Sequence, residues 1–286
     1  MRAISRGLGL TAVLLVAGSA AAQSPAWEKS YDVSGAPMVT LATSDSALIV
    51  RSCGDCRKVH VRVDMQGVSL SDYRVEEYQS GNSVHFSLSE RTHGMFHMGW
   101  HNSSVKVLVE TPAELHLEAR TADGSLSVSG VHGDLMLQSS DGSQDLDGLA
   151  GNVRARTSDG SLKIRGGSGR LEAKSADGSL DISGGFESVD LTSSDGSMHV
   201  ELLKGLSAAS RIESRDGSVT LRVPKGLAAE LDVKTNDGGI SSDLPLMTSG
   251  YNSKSDSGHT MHGTLNGGGP LLSIRSSDGS VRLSAT

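Results

Sequence analysis

Residues 153–182 read VRARTSDGSLKIRGGSGRLEAKSADGSLDI. The unit Thr157-Ser-Asp-Gly-Ser-Leu-Lys-Ile164 is followed by Ser175-Ala-Asp-Gly-Ser-Leu-Asp-Ile182 after a step of 18 residues. In both copies the apolar side chains take every second position. That is the period of a strand, not of a helix. The same signature recurs along the chain. Asp-Gly-Ser opens at Asp123, Asp141, Asp159, Asp177, Asp195, Asp216 and Asp278, the first five 18 residues apart and the next after 21. Asp237 opens a related Asp-Gly-Gly, and Asp45 a related Asp-Ser-Ala.

Aligned on the aspartate, the copies form columns. Three places after it stand Leu48, Leu126, Leu162, Leu180, Met198, Val219, Ile240 and Val281. Four places before it stand Leu41, Ala119, Leu137, Ala155, Ala173, Leu191, Ile212, Val233 and Ile274. The positions five after and six before are aliphatic too, and the position two before is always Ser or Thr. Gln144, Ser210 and Ser242 break otherwise apolar columns.

Each unit thus alternates in and out along one strand, turns at Asp-Gly, and alternates again. Glycine tolerates positive φ and aspartate bonds its own backbone, so a tight turn is expected there. A second turn is expected near Gly130, Gly148, Gly166-Gly167 and Gly184-Gly185. Short strands repeated in this way predict an all-β fold, a single-stranded, β-helix-like β-solenoid of stacked coils of about 18–21 residues. The Ser/Thr column is expected to bond along the stack or to nearby backbone.

Composition agrees. The 286 residues include 35 Gly and 47 Ser, and aromatics are only 3%, which excludes a wide aromatic core. Residues 1–22 read as a secretory signal, with Arg2 and Arg6, the apolar run Leu8 to Ala17, and Ala20-Ala21-Ala22 before the cleavage site. Its removal takes the net charge from −7 to −9, since two cations and no acids leave. Its apolar run is too short to span a membrane, and there is no other long apolar stretch. The chain is therefore expected to be exported, to the periplasm or cell surface. An acidic chain without a basic run argues against nucleic acid and anionic lipid as partners. The expected organisation is signal peptide 1–22, linker 23–37, irregular β coils 38–110, and regular repeats 111–286 continuous with them.

Thr-x-Asp-Gly-Ser-Leu-x-Val and its repeats resemble a bacterial β-strand-repeat family labelled "putative adhesin", an exported domain of unknown function. So do the ending Leu265-Asn-Gly-Gly-Gly-Pro270 with Ser277-Asp-Gly-Ser280, and Val105-Lys-Val-Leu-Val109 followed by Pro112. The resemblance spans about residues 38–286. It implies an exported β-solenoid and brings no catalytic residues.

Three features stand outside the repeat. Cys53-Gly-Asp-Cys56 is the only cysteine pair; in an oxidising compartment it reads as a local disulfide, with metal ligation or thiol exchange as alternatives. The segment 93–101 places His93, His97 and His101 at intervals of four, with Met95 and Met98 between them. Imidazole with thioether suits copper, and imidazole alone suits zinc; the alternative is a glycine-rich loop. His259-Thr-Met-His262 is a smaller candidate of the same kind. The repeated aspartates read as turn formers. Calcium would also suit stacked carboxylates, but the Gly-Gly-x-Gly-x-Asp roll motif is missing.

No nucleophile elbow, phosphate loop or His-Glu-x-x-His occurs. The leading expectation is a non-enzymatic envelope module, structural or adhesin-like, needing no cofactor and meeting an envelope protein or glycan. One alternative is a transition-metal-binding protein using 93–101. Another is a polysaccharide-acting enzyme with acids gathered on one face, for which Glu172, Asp181, Glu187 and Asp190 are the candidates.

Overall fold

The computed structural model describes residues 25–91, 103–255 and 258–286. Its described residues are strands and turns, with one short 3-10 turn at Leu70–Asp72. All 23 strands join one hydrogen-bonded sheet, wound into a solenoid-like coil.

The alternation read from the sequence sets the register. Leu162–Ser175 runs parallel to Leu180–Ser193, with Leu162 beside Leu180, Ile164 beside Ile182 and Ala173 beside Leu191. The strands before the aspartates form one column and those after form another. In the first, Glu114–Thr121, His132–Ser139, Ala150–Thr157 and the second half of Leu162–Ser175 lie parallel and in order. In the second, Leu126–Ser129, Gln144–Asp147 and the first half of Leu162–Ser175 do the same. Inward side chains of both columns form one aliphatic core, from Val61 and Phe86 near one end to Val281 and Leu283 near the other.

The Asp-Gly-Ser turn differs in cause from the expectation. None of its glycines has positive φ; that conformation belongs to the second turn, at Gly130, Gly148 and Gly166. The repeated glycine is needed for close approach instead. A Cβ on Gly142 would stand 1.9 Å from the Gly124 carbonyl oxygen, and one on Gly160 2.3 Å from that of Gly142. Successive turns stack backbone on backbone: the Asp141 N–H donates to Ala122 O at 3.1 Å and the Asp195 N–H to Ala176 O at 3.0 Å.

The Ser/Thr column faces inward. The Ser193 and Ser214 hydroxyls donate to the carbonyls of Gly196 and Gly217 at 2.9 and 2.6 Å, and Ser139 donates to Thr157 Oγ1 at 3.1 Å. The first two bonds hold a turn to the strand before it and the third joins neighbouring coils, whereas the Ser175 and Ser276 hydroxyls have no partner among the described residues.

Coil order departs from chain order at both ends. Met38–Thr43 pairs with Glu114–Thr121, so the Asp45 coil sits directly beside the Asp123 coil and the residues between them form an excursion. Within it, Ser83–Glu90 and Ser104–Thr111 continue the two columns, while Tyr73–Ser80, Lys58–Gln66 and Trp27–Asp32 add antiparallel strands. At the other end, Leu271–Ser276 lies between Ser210–Ser214 and Ala229–Thr235. Val281–Ala285 likewise lies between Val219–Val223 and Ile240–Ser242. The last coil of the sequence is therefore the second from the end of the stack. The hairpin Met247–Ser255 and Gly258–Leu265 covers the first column there.

Candidate interaction surface

A flattened coil offers two outer faces and two edges, each repeating at the strand spacing of about 4.8 Å. The Asp-Gly-Ser edge exposes Asp123, Asp141, Asp159, Asp177, Asp195, Asp216, Asp237 and Asp278, one to a coil. Among the described residues these carboxylates make no hydrogen bond or ion pair within the protein. Solvated charges at that spacing repel by only about 1 kcal/mol in water.

Beside this edge, on the first column, side chains three places before each aspartate form a ladder. Arg120, Gln138, Arg156, Lys174 and Thr192 stand in successive coils. They line a groove of about 650 Å³ that reaches from Thr43 to Ser194, together with Ala122, Ser140 and Ser158. One row further out, Glu172 is held by Arg156 at 3.0 Å, Lys174 at 2.9 Å and Arg154 at 3.6 Å. Lys174, then Arg156, keeps the Glu172 carboxyl below the usual carboxylate range. The sequence shows no basic run, yet the register assembles a basic cluster from residues of two adjacent coils.

Of the acids considered for catalysis only Glu172 and Asp190 come together, bordering one depression of about 400 Å³ with Arg154 and Arg170. Glu172 and Asp190 are register neighbours on the first column, Asp181 lies on the second, and Glu172 is already occupied by three cations. Asp181 borders a depression of about 390 Å³ with His199, Glu201 and Arg222. Glu187 lies at a third place, in a depression beside Gly185 and Lys204 at the second turn.

Cys53 and Cys56 are joined by a disulfide, their Cα atoms 5.8 Å apart. His93, Met95, His97, Met98 and His101 lie outside the described residues, as does the signal 1–22. His259 and His262 do not form a site together. Strand alternation puts His259 on the core side with Met261, whereas His262 faces outward and meets Asp232 at 3.0 Å. Among the described residues no group of three or more His, Cys, Asp or Glu is placed to hold a metal ion.

The two columns are tied together at the excursion end. Lys29 Nζ meets Glu77 Oε1 at 2.6 Å, and the buried Tyr31 hydroxyl donates to Glu77 Oε2 at 2.8 Å. The Lys29 ammonium holds Glu77 low, and burial, then the Glu77 bond, pushes the Tyr31 phenol up. These groups join strands of different columns, an end contact that sequence reading missed because its partners lie 46 and 48 residues apart.

Three crystal structures of other proteins are similar to the chain. One is a putative cell adhesion protein from Clostridium sporogenes (9% identity, TM-score 0.29, 92% of this chain and all of that one). Another is a putative adhesin from Bacteroides fragilis (9%, TM-score 0.43, 91% and 96%). The third is a putative adhesin from Parabacteroides merdae (11%, TM-score 0.42, 90% and 95%). No curated protein matches the chain. The family model described as Toastrack DUF4097 matches residues 39–284, nearly the whole stack, and the chain belongs to that family.

Proposed function

We propose that the chain is a non-enzymatic interaction module of the cell envelope, an exported β-solenoid of 18–21-residue coils that presents a long polar surface to a partner. The observation that carries this reading is the row of outward polar side chains kept in register over successive coils, with a groove along six of them. Such a surface offers many small, equivalent contacts and no convergent acid, base and nucleophile. The signal-like start supports export, and no helix among the described residues is long and apolar enough to cross a membrane.

The test is retention of native envelope material on the immobilised chain, by biolayer interferometry, with the same material assayed for cleavage afterwards. Saturable retention without new reducing ends or new peptide termini is expected. Absence of retention, or steady release of cleaved product, contradicts the proposal.

A further inference from the structure

We infer that the groove beside the Asp-Gly-Ser edge binds an extended anionic polysaccharide, with sugar carboxylates seated on Arg156 and Lys174. This rests on the interaction-module reading and names the partner's chemistry.

The groove follows the stack. It touches six coils, from that of Thr43 to that of Ser194, and five strand steps of about 4.8 Å make it roughly 24 Å long. An open trough of this length suits a linear polymer rather than a compact ligand. Its wall carries Arg120, Arg156 and Lys174, and no carboxylate lines it. Ser and Thr hydroxyls and the Gln138 amide supply the remaining polar lining, a match for sugar hydroxyls.

Charge complementarity decides the sign of the occupant. On the groove wall Arg120 is paired with Glu118, and Arg156 and Lys174 share Glu172 with Arg154, which stands outside the groove, so four cations face two carboxylates and a local surplus of two remains, with the solvated aspartate edge running alongside. The shared carboxylate holds the cationic heads in place, which lowers the entropy lost when they take up an anion. A guanidinium beside an ammonium offers charge-assisted bonds to carboxylates along a chain. Nucleic acid fits less well. No aromatic side chain lines the groove, and single strands bind chiefly by stacking bases on such rings.

The experiment uses the purified chain and isothermal titration calorimetry at low and moderate salt. The probes are a β-1,4-linked mannuronate hexamer, the neutral mannohexaose of the same linkage, and a short oligothymidylate. The mannuronate hexamer is expected to bind, with affinity falling as salt rises. The neutral hexamer should bind at least about tenfold more weakly, and Arg156→Ala with Lys174→Ala should cost the acidic hexamer about tenfold or more. Lys163→Ala with Arg165→Ala, on the other column, is the control and should leave its affinity unchanged. Equal binding of the two hexamers, indifference to the Arg156/Lys174 pair, or equal affinity for the oligothymidylate overturns the inference. So does failure to bind any probe; if envelope material is still retained, the inference falls and the broader reading stands.

Discussion

The glycine of each Asp-Gly-Ser turn shows how a side chain's absence builds this protein. Gly160 has the Gly142 carbonyl against the place where its Cβ would be, whereas Gly205 has nothing within 4 Å and no left-handed φ. Gly160→Ala is therefore expected to destabilise by about 1–3 kcal/mol, since backbone on the neighbouring turn must shift. Gly205→Ala should stay within about 0.5 kcal/mol. Urea unfolding of the two variants checks this, and equal stabilities would contradict the close-approach account. The breaks in the columns are equally specific. The Ser210 hydroxyl accepts the Val189 N–H at 3.1 Å, taking the place of a ladder bond. Ser242 lies on the short last strand of its column, where little is left to cover it. Gln144 is 1% exposed between Leu126 and Leu162; its amide nitrogen reaches Arg156 O at 2.6 Å and Ser139 Oγ at 3.0 Å, but its Oε1 has no partner among the described residues. Gln144→Leu should raise stability by about 1 kcal/mol, because an unpaired buried oxygen is removed and the aliphatic column closes. A lower urea midpoint would show that the two amide bonds outweigh the orphaned oxygen.

Strands were legible wherever inward positions recur at a period of two. Val59, Val61 and Val63 reveal Lys58–Gln66 without any repeat, and all three are buried. The turns were legible in place but not in cause, because Asp-Gly carries the same signature whether glycine supplies positive φ or merely room. The end closure was hidden, since it joins groups distant in the chain. Its ion pair gives the pH behaviour a definite sign. The folded Glu77 carboxyl titrates below its ordinary value of 4.5, so the pair's contribution is present above that pH and is lost as pH falls through the lower folded value. Glu77→Gln is accordingly expected to be less stable than the parent chain at pH 7, with the gap closing below 4.5. Urea midpoints measured down the pH scale check it; a gap that widens in acid would contradict the assignment.

The stack as a whole obeys the repeat in spacing but not in order. Interchangeable Asp-Gly-Ser units say that coils pile up, and nothing local tells which neighbour each will take. That choice rests on the hairpin after Ile240–Ser242, which covers the first column and turns the chain back. The final coil then fills the gap between the Asp216 and Asp237 coils, with the Thr286 N–H donating to Val223 O at 2.9 Å. The basic cluster around Glu172 was hidden for a related reason. Arg154 and Arg156 lie on one strand and Glu172 and Lys174 on the next, so only the register brings them together.

Double electron–electron resonance between spin labels on the exposed turn edge tests the stacking order most directly. With one label at position 123 and the second in turn at 216, 278 and 237, the stack predicts separations of roughly 24, 29 and 34 Å, from five, six and seven strand steps. Position 278 should fall between the other two, although it lies last in the chain. A separation to 278 longer than that to 237 would contradict the inserted coil and the stack built around it.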